Sequence, residues 1–417
     1  MNFKNFFKIL GPGLIYAGAA VGVSHLVQST RAGASYGYDL IWILLIANFI
    51  KYPFFEFAPR YVSATGKSLI SGYQSLGKWA VVSYAILTLL TMFSIQAAVT
   101  IVTAGLVANV FHLTINPVLL SAIILGVVTI LLIVGRYAIL DKLMKLIIVV
   151  LAISTLIAVF SALGQKPSTG TNLTSFDWMK RLDIFFLIAF IGWMPSPIDV
   201  SVWSSVWSVA KYKQLGFKPS LKQSLLDFKI GYIGTTFLAL GFLILGALVM
   251  HSSNAELSGN GTIFAGQLIN MYTISIGDWA KVIISIAAVT TMFSTTLTCL
   301  DAYPRVLQPT TEILFPSIKK INLSSKIISL IWIIILVIGT IILLGYFSGS
   351  MRFMVDLATT ISFVTAPILA FMNFKVVTDK HMPEDGRPGK WLKIFAWMGI
   401  IFLSLFSLVF IVWRFLF

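Results

Sequence analysis

Charge is what this chain of 417 residues has least of: Asp, Glu, Lys and Arg make up 11% of it, against 58% apolar residues. A soluble chain carries about 25% charge, so a water-soluble fold is excluded and a polytopic membrane protein remains. Acids are the scarcer half, with 15 carboxylates against 30 Lys and Arg for a net charge of +15. That excess does not mark a nucleic-acid binder, because the basic residues lie in short loops between apolar runs. The single cysteine, Cys299, rules out an intramolecular disulfide and a thiolate metal site. The four histidines, His25, His112, His251 and His381, lack zinc-ligand spacing. The chain shows no low-complexity stretch, soluble domain or enzyme motif, and no cofactor is expected. Thr65-Gly66-Lys67-Ser68 imitates a phosphate loop, but the glycine that motif needs five residues before Gly66 is Tyr61.

A membrane-crossing helix needs about 20 apolar residues. Eleven stretches meet that template: about 12–33, 38–60, 80–111, 116–135, 139–163, 182–210, 226–250, 280–302, 327–347, 351–374 and 392–415. Lys4 and Lys8 before the first run could begin a signal peptide. The Gly11-Pro12-Gly13 turn and the continuation into Arg31-Ala32-Gly33-Ala34 fit a first span better. Basic residues fall on alternate turns: Arg60, Lys67 and Lys78; Arg136, Lys142 and Lys145; Lys211, Lys213, Lys218 and Lys222; Arg305, Lys319, Lys320 and Lys326; Lys375, Lys380, Arg387, Lys390 and Lys393. The opposite turns 112–116 and 251–277 hold none, and 164–181 is the exception with Lys166, Lys180 and Arg181. This pattern predicts a cytoplasmic N-terminus and an external C-terminus in a bacterial cytoplasmic membrane, with the lipid bilayer as partner and a monomer as the expected state.

Two of the runs are broken near their middles, the first at Gly22-Val23-Ser24-His25 and the sixth at Met194-Pro195-Ser196-Pro197. Apolar segments interrupted by Gly or Pro at matching places in two halves of a chain point to a transporter's binding site. Unwound backbone at that depth must be buried in protein or line a watery cavity. The expected architecture is an all-α inverted repeat of five plus five helices, with helices one and six broken and an eleventh helix appended. Its halves are 10–163 and 182–374, and the extra helix is 392–415. Gly22, Val23, Pro195 and Pro197 are read as the helix breaks, and Gly22, Ser24, His25, Ser196 and Asp199 as the substrate-binding set.

Each of these residues has a plain alternative. Asp199 is a buried carboxylate and a candidate metal ligand, but it also suits the N-cap of a half-helix. His25 could carry the coupling proton or simply bond a freed carbonyl. Ser24 and Ser196 suit substrate contacts or backbone capping. Asp199 and His25 are expected within reach of one solute or of each other. Lys51 and Glu56 read as interfacial or paired, and Asp301 with Arg305 as a helix end, a gate or a salt bridge. Thr290, Thr291, Ser294, Thr295, Thr296 and Thr298 suit helix packing and a polar path. Trp203, Trp207, Trp391 and Trp413 suit packing or interface anchoring.

Taken together, these stretches resemble the Nramp family of divalent metal-ion transporters. Gly11-Pro12-Gly13, Ala32-Gly33-Ala34, Tyr36-Gly37-Tyr38 and Trp42 match the family's opening in order and spacing. Arg60 with Thr65-Gly66-Lys67, then Ile191-Gly192 and Pro197, then Ser294 to Thr298, extend the likeness over about residues 10–375. The resemblance implies a LeuT-type fold and secondary transport of a metal ion. Its motifs depart where metal is bound. The family's Asp-Pro-Gly-Asn falls on Gly22 to His25, its Met-Pro-His on Ser196 to Ile198, and Asp199 stands where the family has Asn. The family's acidic pair in span three falls on Ala97 and Thr100. Magnesium-carrying relatives also lack the Met but keep acids at the site. Loss of the thioether and the carboxylate removes the preference for manganese and iron. The competing expectations are a small anion or zwitterion, drawn to half-helix N-termini, and a non-transporting relative.

Overall fold

The structure is a computed structural model that describes residues 12–135, 137–164, 175–251, 257–321, 324–347 and 349–416. Lys4, Lys8, Gly11, Arg136 and Lys166, named above, lie outside the described residues. Among the described residues the secondary structure is helices joined by turns and short loops. The first span is α1 (Pro12–Ala20), a π-helical turn (Ser24–Ser29) and α2 (Thr30–Tyr36). There follow α3 (Ile41–Thr65), α4 (Leu69–Leu76), α5 (Lys78–Val110), α6 (Pro117–Val134) and α7 (Tyr137–Leu163). The second half opens with the broken pair α8 (Arg181–Trp193) and α9 (Asp199–Leu215). It continues with α10 (Leu221–Val249), α11 (Gly261–Ile276), α12 (Ala280–Leu314), α13 (Ser325–Tyr346) and α14 (Met351–Thr378), and α15 (Lys390–Leu416) closes the chain.

Eight of these helices are long and apolar enough to cross a membrane, and the two broken pairs and α7 bring the spans to the eleven expected. The helices α4 and α11 are additions: they sit in connections that read as turns. Local chemistry sets several ends. Asn116 accepts from the Val118 and Leu119 amides with Pro117 at the first helical position, and Ser220 and Gln223 form a reciprocal capping box. Gly66, Gly135 and Gly216 end α3, α6 and α9 in left-handed conformation.

The interior is built around the broken pairs. α10 packs along α1 and α2, α9 lies between α1 and α3, α8 packs on α14, and α5 packs on α12 and α14. α6, α13 and α15 keep most of their apolar surface exposed, as lipid-facing helices do. Small residues let α10 approach closely. A Cβ on Gly13 would sit 2.1 Å from Asp227 O, one on Gly231 2.3 Å from Gly13 O, and one on Gly33 1.9 Å from Leu243 O. Such small-residue crossings are how membrane helices gain packing energy without a hydrophobic drive. The crossing also fixes the start of α1, whose Gly13 amide donates to Asp227 Oδ2 at 2.6 Å.

Candidate functional site

The first break lies slightly earlier than the sequence predicts. Helical geometry lapses at Val21 and Gly22, and Val23 has already resumed it with φ −56° and ψ −36°. Val23 is therefore not an unwound residue. Ser24 to Ser29 are wound as a π turn, a form that recurs at functional sites. Side chains satisfy the carbonyls that the lapse frees. Thr295 Oγ1 on α12 donates to Val21 O at 3.3 Å, and Ser24 Oγ donates to Ala20 O at 2.8 Å. Gly22 is there for space, since a Cβ would lie 2.7 Å from Thr295 Oγ1.

His25 is fully buried and bonded on both ring nitrogens. Nε2 faces Thr235 O of α10 at 3.0 Å, and Nδ1 faces Ser24 Oγ at 2.8 Å. A carbonyl only accepts, so Nε2 carries a proton. In the neutral ring Ser24 then donates to Nδ1. When Ser24 instead gives its one proton to Ala20 O, Nδ1 must carry a proton too. The state of the ring is thus tied to one hydroxyl. Beside this pair, Tyr16 lies next to Ser196 and Thr235. Tyr16 OH and Ser196 Oγ are both buried, with no acceptor from outside this group.

The second break occupies Met194 to Pro197, with a cis peptide between Met194 and Pro195. The end of α8 is capped by a cation that the sequence reading placed elsewhere. Lys51 of α3 is fully buried, and its Nζ donates to Ile191 O at 2.6 Å and Gly192 O at 2.7 Å. A positive charge at a helix C-terminus is favoured by the helix dipole. Lys51 is neither interfacial nor paired with Glu56. Glu56 instead pairs with Arg60 one turn along at 2.5 Å. The reason is geometric: residues five apart on a helix point to different sides.

Asp199 occupies the first position of α9, with Ile198 at the N-cap and no side-chain cap. Its carboxylate turns towards α5, where Thr91 Oγ1 lies 3.3 Å from Oδ1, while Oδ2 has no partner. Tyr73 of α4, Tyr84 of α5, and Cys299 and Tyr303 of α12 lie within its electrostatic reach. So the structure divides the expected set in two. Ser24, His25 and Ser196 share one network with Tyr16 and Thr235. Asp199 belongs to another, and among the described residues no hydrogen bond or ion pair joins it to His25. Sequence reasoning gave Lys51 another role and missed Tyr16, Tyr84 and Tyr303. The spacing of Tyr84, Thr88 and Thr91, which puts three hydroxyls on one helix face, was the available signal.

Polar ties cross between helices toward both ends of the site. At the end expected to face outward, Arg31 pairs with Asp356 at 2.7 Å and rests 5.0 Å from the Phe186 ring centroid. Tyr36 donates to Asp183 there at 3.0 Å. At the other end Arg305 meets Asp301 at 2.6 Å, which also accepts from Trp207 Nε1 at 3.2 Å. Of the tryptophans, Trp203 is packed on Tyr303 at 4.9 Å and Trp391 is exposed.

A sequence profile described as "Natural resistance-associated macrophage protein-like" matches residues 13–413. The uncharacterized protein PM0681 of Pasteurella multocida is 35% identical over 408 residues, covering 97% of this chain and 92% of its own. The divalent metal cation transporter MntH of Latilactobacillus sakei is 21% identical over 61% of this chain and 57% of its own. Among solved structures, a manganese transporter of Eremococcus coleocola superposes with a TM-score of 0.69 at 15% identity, over 98% of this chain and 86% of that one. MhsT, solved with L-phenylalanine, gives 0.65 at 12% identity over 95% and 97% of the two chains. These likenesses place the fold among LeuT-type transporters.

Proposed function

Since the chain belongs to the Nramp family, we propose that it is a secondary transporter whose central site, between the breaks of α1–α2 and α8–α9, takes a small anion. The halves 10–163 and 182–374 are the parts that move against each other, with the N-terminus in the cytoplasm and the C-terminus outside. One observation carries the substrate reading: the breaks present donors and no carboxylate. Tyr16 OH and Ser196 Oγ are buried against each other and beside Thr235, with no acceptor from outside this group. Among the described residues no acid pairs with the buried Lys51, whose ammonium has three N–H groups for two carbonyls. Asp199 is turned away. Buried donors without partners favour a ligand rich in acceptors.

Transport of a divalent cation is the second reading. It is favoured by the family and by the bare Oδ2 of Asp199. Against it, no group of three His, Cys, Asp or Glu side chains converges among the described residues. Calorimetry on the purified protein separates the two. Formate, acetate, bicarbonate and nitrate form one panel, manganese and magnesium the other. The expected result is saturable binding of a small anion, with manganese no tighter than about 1 mM, or about 4 kcal/mol. Micromolar manganese affinity would overturn the anion reading.

A further inference from the structure

The network around Asp199 leaves its carboxylate half paired. Asp199 Oδ2 and Trp203 Nε1 are buried with no hydrogen-bond partner, and the buried hydroxyls of Tyr84 and Tyr303 lie against those of Thr88 and Thr91. Buried orphans are rare in folded proteins, and a bare carboxylate oxygen set among hydroxyls calls for a ligand. Thr91 relieves the carboxylate only weakly. Its one hydroxyl proton serves Leu87 O at 3.1 Å, Thr88 O at 3.3 Å and Asp199 Oδ1 at 3.3 Å. The atoms also converge: Tyr303 lies beside Thr91, Tyr84 beside Thr88, and both tyrosines within reach of Asp199. Asp199 forms no ion pair among the described residues, so nothing balances its charge.

The donor set describes its ligand. It is one carboxylate with neutral hydroxyl oxygens, and it offers no imidazole nitrogen. Cys299 is its one sulfur, held as a buried free thiol. Oxygen sets of this kind suit hard cations. A single negative charge in the bilayer interior balances a single positive one, and a divalent ion would leave an excess there. We infer that Asp199, with the hydroxyls of Thr88, Thr91, Tyr84 and Tyr303, forms a binding site for a sodium ion that is separate from the central site. The ion bridges α9 to α5 and α12. Because α9 begins at the second break, three residues after Ser196, filling the site fixes the half-helix that carries one wall of the central site. The sodium ion is thereby the coupling cation of the transport cycle. This role rests on the transporter reading, but occupancy of the site does not.

The test is equilibrium binding of radioactive sodium to the purified full chain in choline chloride, with no transported solute present. Expected is a saturable signal displaced by unlabelled sodium chloride and not by added choline chloride. Asp199→Asn should abolish it. Tyr303→Phe and Thr88→Val, which keep the packing, should each weaken it by about tenfold. No saturable binding to the wild-type protein, or equal binding by all three variants, overturns the site. If Asp199→Asn does not fold, the other two variants decide. Sodium binding in a protein that moves no solute leaves the site standing and defeats the transporter reading alone.

Discussion

At the scale of single residues, the breaks are held by side chains from elsewhere in the chain. Lys51 is the strongest case, since its ammonium satisfies two carbonyls that a helix end leaves bare. Lys51→Met fills the space but removes both charged hydrogen bonds, so it should cost about 3 kcal/mol. Thermal unfolding of the purified protein measures it; an unchanged midpoint would mean that water replaces the ammonium. Gly22 gives a second case. Gly22→Ala drives a methyl into Thr295, a clash worth about 1–3 kcal/mol. Thr295→Ser removes the Cγ2 that lies 2.8 Å from the added carbon, so the double variant should recover part of the loss. Strict additivity of the two substitutions would refute the contact.

At the scale of elements, the helix crossings of α10 are the sensitive points. Gly33→Ala should push α2 off α10 and lower stability, because its methyl would meet Leu243 O. Gly234→Ala on the same α10 is the control. Its Cβ meets nothing within 4 Å, and alanine is the better helix former by about 1 kcal/mol. Equal losses at the two positions would remove the crossing from the account. This scale also shows what was legible in the sequence. Hydropathy placed ten of the eleven spans to about five residues, because a bilayer imposes length and apolarity on any crossing helix, but α12 continues to Leu314, well past the expected end at 302. Pro195 and Pro197 marked where the second helix lapses, since each acts on its own backbone, and Gly22 marked the first through the space it leaves for Thr295. The direction of a side chain about the helix axis is set by neighbours distant in sequence. Hence Asp199 and His25, adjacent to their breaks on paper, face different partners, and Lys51 found its carbonyls 140 residues away. The helices α4 and α11 escaped for a related reason: eight and sixteen residues are too few to carry the signal of a span.

At the scale of the molecule, we read two ties between helices as gates that open in turn. Arg31 with Asp356 ties α2 to α14, and Asp301 with Trp207 ties α12 to α9. Breaking one tie should bias the whole bundle, since packed interfaces have discrete arrangements. In a Cys299→Ser background, a cysteine at position 196 reports access to the break from solvent. Asp356→Ala should raise its labelling by a membrane-impermeant maleimide by about tenfold from the outer face. An unchanged rate would show that Arg31 and Asp356 do not hold that side shut.

The lysine of α3 also bears on how the protein is made. Lys51 enters the membrane with α3, long before Ile191 and Gly192 have been synthesised. A lone charge at that depth costs about 2.5–3.5 kcal/mol on insertion scales. The nascent first half therefore carries an unmet debt through its synthesis, and α3 settles only when α8 arrives. A chain cut after residue 163 should be cleared rapidly by membrane proteases, and Lys51→Leu should lengthen its half-life while shortening that of the complete protein.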